Sequence, residues 1–116
     1  MKANELRVGN YVKGIGHNIS WLVDGVDTYY IYSSNAWRLL SSFEGIPLNE
    51  NWLEKFGFKR SGLYNLKDEV YIYDEYGLID TGFEYRFNYT QIKLKYVHQL
   101  QNLYFALTGE ELTINC

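Results

Sequence analysis

Glu84-Tyr85-Arg86-Phe87-Asn88-Tyr89, followed by Tyr96-Val97-His98-Gln99-Leu100-Gln101-Asn102-Leu103-Tyr104-Phe105-Ala106-Leu107-Thr108-Gly109, decides the fold class. The first stretch alternates at period two, which is a strand with Tyr85, Phe87 and Tyr89 inward and Glu84, Arg86 and Asn88 in solvent. The second sets Val97, Leu100, Leu103, Tyr104 and Leu107 at the 3.6-residue period of an amphipathic helix, from about Tyr96 to Thr108, closed by Gly109. Between them the apolar parity moves to Ile92 and Leu94. A strand cannot change faces without a break, so a turn or bulge is expected at Thr90-Gln91.

Working backwards, Phe58 to Leu94 reads as strands. Tyr64 to Leu66 and Val70 to Tyr73 flank Lys67-Asp68-Glu69 as a hairpin, and Arg60-Ser61-Gly62, Tyr76-Gly77 and Thr81-Gly82 mark turns. A short helix precedes them. Ile46-Pro47-Leu48 is extended, because Ile46 stands before proline. Asn49 is the N-cap, Glu50 complements the helix dipole, Leu48 staples to Leu53, and Gly57 ends the helix. Trp52, Leu53 and Phe56 point one way.

The N-terminal third reads as a β-meander. Leu6 to Val12, interrupted by Gly9-Asn10, is a strand with a bulge or tight bend. Gly14 to Asn18 is a loop. Ile19, Trp21 and Val23 share one face of the next strand. The hairpin turn is either Asp24-Gly25, a favoured type I′ pair, or Asp27-Thr28, before a returning strand from Thr28 to Tyr32. Three short strands on tight turns resemble half of a small SH3-like barrel. Ser33 to Gly45 is compatible with a helix or with a strand ending in a loop. The expectation is one α+β domain over residues 1–116: the meander, a short helix, an antiparallel sheet, and a C-terminal helix packed on the sheet.

Composition narrows the function classes. The 116 residues carry a net charge of −3, 47% hydrophobic residues, and 12 Tyr, 6 Phe and 3 Trp. Such content argues for an ordered chain that needs no staple. One cysteine, Cys116, excludes an internal disulfide and a four-cysteine metal site. The start has no apolar signal core, and no apolar run approaches bilayer length, so a soluble, cytoplasmic protein is expected. The acidic balance disfavours general nucleic-acid binding.

Catalytic and metal motifs are not found. His17, His98 and Cys116 have no ligand spacing, the serines Ser33, Ser34, Ser41 and Ser42 have no nucleophile elbow, and Gly14-Ile15-Gly16 lacks the rest of a dinucleotide loop. No enzyme, metal or cofactor is expected. Two surfaces stand out instead. Between Asp68 and Glu84 lie six acids and no Lys or Arg, so the remainder of the chain is at +3. Tyr71, Tyr73, Asp74, Glu75, Tyr76 and Asp80 in this segment are candidate contacts for a protein partner with a basic surface, since tyrosine buries area with little entropy loss. The second is an amide-rich part of the last helix, His98, Gln99, Gln101 and Asn102, which the amphipathic pattern leaves mostly off the core face.

Three stretches carry a resemblance: Lys2-Ala3-Asn4-Glu5-Leu6-Arg7-Val8-Gly9-Asn10-Tyr11-Val12, Ile46 to Phe58, and Tyr96 to Leu112. They look like a family of small proteins of Bacteroidetes genomes, prophages and phages. The resemblance implies a source and a shared scaffold, and no activity. With it, the expected function is a non-enzymatic binding protein, phage- or mobile-element-associated, occupying a macromolecular partner and inhibiting a host defence complex. The alternatives are a small-ligand or nucleotide-binding domain, and a nucleic-acid binder in which Lys13 and Arg38 meet phosphate.

Overall fold

The computed structural model describes residues 1–62, 64–76, 83–87 and 92–114, with the side chains at 74–76 and 83–84 outside that description. In chain order the elements are β1 (Tyr11–Gly14), β2 (Ser20–Leu22), β3 (Gly25–Val26), β4 (Tyr30–Ser33), β5 (Ala36–Leu39), β6 (Phe43–Gly45), α1 (Glu50–Lys55), β7 (Lys59–Ser61), β8 (Tyr64–Lys67), β9 (Val70–Tyr76), β10 (Phe83–Phe87), β11 (Lys93–Leu94) and α2 (Val97–Thr108). Among the described residues all strand pairing is antiparallel, and with the two helices the class is α+β. Among the described residues no helix is long and apolar enough to cross a membrane. The chain divides into two compact units, Met1–Pro47 with Tyr96–Glu111, and Leu48–Lys95 with Leu112–Cys116.

The first unit holds two three-stranded sheets, ordered β2-β1-β6 and β3-β4-β5. Gly9 and Asn10 together oppose Val23: Gly9 N donates to Val23 O and Val23 N donates to Asn10 O, each at 2.8 Å. This is the expected bulge, and Gly9, at φ +98, takes a backbone conformation that suits glycine. Leu6, Val12, Val23, Ile31, Leu40 and Phe43 form the core, flanked by Ala3, Trp21 and Val26.

The turn between β3 and β4 falls at the second of the two expected places. Asp27 N donates to Tyr30 O at 2.8 Å. Gly25 is a strand residue, where its missing side chain admits its neighbours: a Cβ there would lie 3.2 Å from Tyr32 Cβ and 3.5 Å from Trp37 Cη2. The ambiguous stretch after Ser33 resolves into strands. Ser34 and Asn35, at φ 50 and φ 65, close a two-residue hairpin between β4 and β5. Positive φ at both positions matches the twist of the flanking strands. A short 3-10 turn, Leu40–Ser42, then leads into β6.

In the second unit β7 to β11 form one meander, ordered β11-β10-β9-β8-β7. Asp68 and Glu69, at φ 49 and φ 66, make the β8–β9 turn. The expected break at Thr90-Gln91, like the turns at Gly77 and Thr81-Gly82, falls outside the described residues. Helix α1 has the expected punctuation: Asn49 Oδ1 accepts from Trp52 N at 3.0 Å, and Gly57 follows the helix at φ +89. Leu48, Trp52, Leu53 and Phe56 are buried. Glu50 does more than face the dipole. Its Oε1 accepts from Arg60 Nη1 at 2.7 Å, Asn65 Nδ2 at 3.3 Å and Tyr85 OH at 3.5 Å, tying the helix start to β7, β8 and β10.

Candidate functional site

The β3-β4-β5 sheet has two unlike faces, and strand alternation explains both. Ile31 and Ser33 of β4 are buried. Tyr30 and Tyr32 alternate with them and pair across to β5, Tyr30 with Leu39 and Tyr32 with Trp37. The Tyr32 and Trp37 rings lie 5.2 Å apart. Trp37 is 57% exposed, Leu39 52% and Tyr30 43%, so large apolar side chains stand together in water. Tyr29 extends the patch at the turn. A shallow cleft of about 220 Å³ between Tyr30 and Trp37 has Asp27 on its rim. Contiguous exposed apolar area of this kind marks interaction surfaces. The signal was present in the sequence as Tyr30-Ile31-Tyr32 and Trp37-Arg38-Leu39, and was missed because 33–45 had no settled period.

Behind the same strand pair lies a second feature. Arg38 alternates with Trp37 and Leu39 and lines a hollow of about 580 Å³ with Gly14, Ile15, His17, Ile19, Trp21, Ser42 and Phe43. Trp21 and Phe43 meet edge to face at 5.9 Å. The Arg38 guanidinium sits 4.7 Å from the centre of the Trp21 ring, and its Nε donates to Ser33 O at 3.4 Å. Lys13, the other cation proposed for phosphate, is engaged: its Nζ lies 2.7 Å from Glu44 Oε1. That hydrogen bond holds the Glu44 carboxyl below its ordinary pKa.

The residues singled out in the acidic segment are placed as follows. Tyr71 and Tyr73 are half-buried and cluster with Tyr64, ring centres 5.2 and 5.4 Å apart. Asp74, Glu75 and Tyr76 belong to β9, and their side chains lie outside the described residues. The register sets Glu75 opposite Glu84. Asp80 lies outside the described residues.

The amide-rich part of α2 is corrected. His98 and Gln101 are buried, at 1% and 0% exposure, and the buried face is Val97, His98, Leu100, Gln101 and Tyr104, while Leu107 stands in solvent. Gln101 Oε1 accepts from Tyr11 N at 2.9 Å and its Nε2 donates to Gly9 O at 2.8 Å. A side-chain amide thus supplies the donor and acceptor that a neighbouring peptide would. Asn102 Oδ1 accepts from Asn10 Nδ2, and Asn102 Nδ2 donates to Glu5 O, both at 2.9 Å. Asn10 Oδ1 accepts from Arg7 N at 2.6 Å, and Arg7 pairs with Glu111. Gln99 Oε1 accepts from Tyr96 N at 3.0 Å, satisfying a helix N-terminal donor. The hydrogen bonds of Gln101 and Asn102 join the first and last stretches of the chain.

His98 stacks on Tyr96, centres 5.6 Å apart and planes 8° apart, and neither ring nitrogen has a hydrogen-bond partner among the described residues. Burial pushes its pKa below the ordinary histidine value, against the opposing pull of Glu5. No group of three His, Cys, Asp or Glu among the described residues could hold a metal ion. The chain matches no protein-family model, no curated protein and no solved structure.

Proposed function

We propose that this is a non-enzymatic binding protein that occupies a protein partner through the aromatic outer face of β3-β4-β5. The observation that carries the reading is the side-by-side exposure of Tyr30, Trp37 and Leu39 in register. Trp and Tyr are the residues that anchor interfaces, because they bury much area at small entropic cost. Asp27 on the rim of the cleft between Tyr30 and Trp37 favours a partner with a basic side chain, which gains both an ion pair and a cation–π contact. The acidic β9 segment with Tyr64, Tyr71 and Tyr73 favours the same kind of partner at a second contact. A source in a phage or other mobile element is supported by the resemblance of the two end stretches. Inhibition of a host defence complex in the cytoplasm needs only occupancy of this kind.

The test is capture from host lysate with three baits: the wild-type chain, Trp37→Ser/Leu39→Ser, and Asp74→Lys/Glu75→Lys. A partner held by the wild type and lost with the first variant supports the reading, and weakened capture by the second adds the acidic contact. No partner, or one retained by both variants, sinks it. Sizing of the bait alone over a concentration range tells a foreign partner from a second copy.

A further inference from the structure

We infer that the hollow behind β5 is a binding site for a small planar organic anion, a second ligand class independent of the protein partner proposed above. Its size is that of a small-molecule pocket, and its lining is the usual mixture of an apolar body with a few polar groups. Half-buried Trp21, backed by buried Phe43, gives an aromatic floor against which a flat ring stacks. Arg38 supplies the charge. Among the described residues Arg38 forms no ion pair with a carboxylate, unlike Arg7, Lys13 and Arg60. Its position over Trp21 aligns the guanidinium beside the aromatic floor and leaves its fork of donors to a carboxylate or phosphate.

The rest of the lining fits the same ligand. Ser42 brings a hydroxyl and His17 an imidazole. The loop that carries His17 is tied to the turn that carries Ser42 by Ile15 N donating to Ser42 O, and is closed by His17 N donating to Gly14 O, both at 3.0 Å. The His17 ring lies against Gly14, where a Cβ would come within 3.3 Å of its Cδ2. Ile15 and Ile19 stand on the rim at 56% and 68% exposure, apolar surface that a stacked ring would cover. A ring without charge leaves Arg38 unused, and an ion without a ring leaves the floor wet. The ligand must therefore carry both.

The experiment is a titration of the 15N-labelled chain followed through the Trp21 indole N–H. The probes are adenosine monophosphate, indole-3-carboxylate, and their uncharged counterparts adenosine and indole. The expected result is saturable shifts with one or both anions and at least tenfold weaker binding of the matching neutral probe. Preference between the two anions tells a nucleotide from an aromatic acid. Arg38→Gln should weaken the anion at least tenfold. Ile19→Glu, at an exposed position that leaves folding intact, should weaken it by setting like charge on the rim. Absence of any shift at millimolar probe, equal binding of charged and neutral probes, or indifference to both substitutions overturns the inference. None of these outcomes bears on partner capture by Trp37 and Leu39.

Discussion

Gln101 accepts the backbone N–H of Tyr11 at 2.9 Å, across 90 positions of the chain. The same amide donates to Gly9 O, so one fully buried side chain completes the hydrogen bonding of the first strand from the last helix. Gln101→Leu keeps the volume and removes both bonds. A buried polar group deprived of a partner costs about 1–3 kcal/mol. The variant should be destabilised by about 2–4 kcal/mol in urea unfolding, with faster amide exchange at Tyr11. Wild-type stability in this variant would show the network to be incidental.

His98 couples folding to pH. Its folded-state pKa lies below that of the unfolded chain, because the charged form would be desolvated. The unfolded chain therefore takes up the proton first. The contribution of His98 to stability is complete above the ordinary value of about 6.5 and is lost as pH falls from there through the depressed folded value, at up to about 1.4 kcal/mol per pH unit. His98→Leu removes this term. The loss of stability between pH 8 and pH 5.5 should be smaller in the variant than in the wild type. Equal losses in both would mean that His98 does not titrate against folding.

Gly45 is fixed by what stands next to it. A Cβ would lie 2.7 Å from Tyr96 Cγ and Cδ1 and 3.0 Å from His98 Cε1, and the stacked pair would have to part. Gly45→Ala should cost about 1–3 kcal/mol, the usual range for overpacking. Adding Tyr96→Ser should recover part of it, so the double variant is more stable than the sum of the singles. Strict additivity would place the strain elsewhere.

Much of the fold was legible because local signals agreed. Asn49, Leu48, Leu53 and Gly57 bracket α1, Gly9-Asn10 announces the bulge, and Lys67-Asp68-Glu69 marks a hairpin. The interior of α2 was not legible in the same way. The apolar count favoured Leu103 and Leu107, yet Gln101 and His98 take the core face, since Gln101 finds backbone partners there that no periodicity records. The aromatic face was hidden for a related reason: Ser34-Asn35 is an uncommon spelling of a two-residue turn, and without that turn Trp37 has no strand to belong to.

The central claim is that Trp37 anchors a partner, and the affinity of the captured partner for purified wild-type protein and for Trp37→Ala tests it most directly. Calorimetry should show the variant weaker by at least about 2 kcal/mol, roughly 30-fold, the mark of an interface hot spot. Circular dichroism and thermal unfolding should be unchanged, because the side chain stands in solvent. Equal affinity for the two proteins would contradict the account.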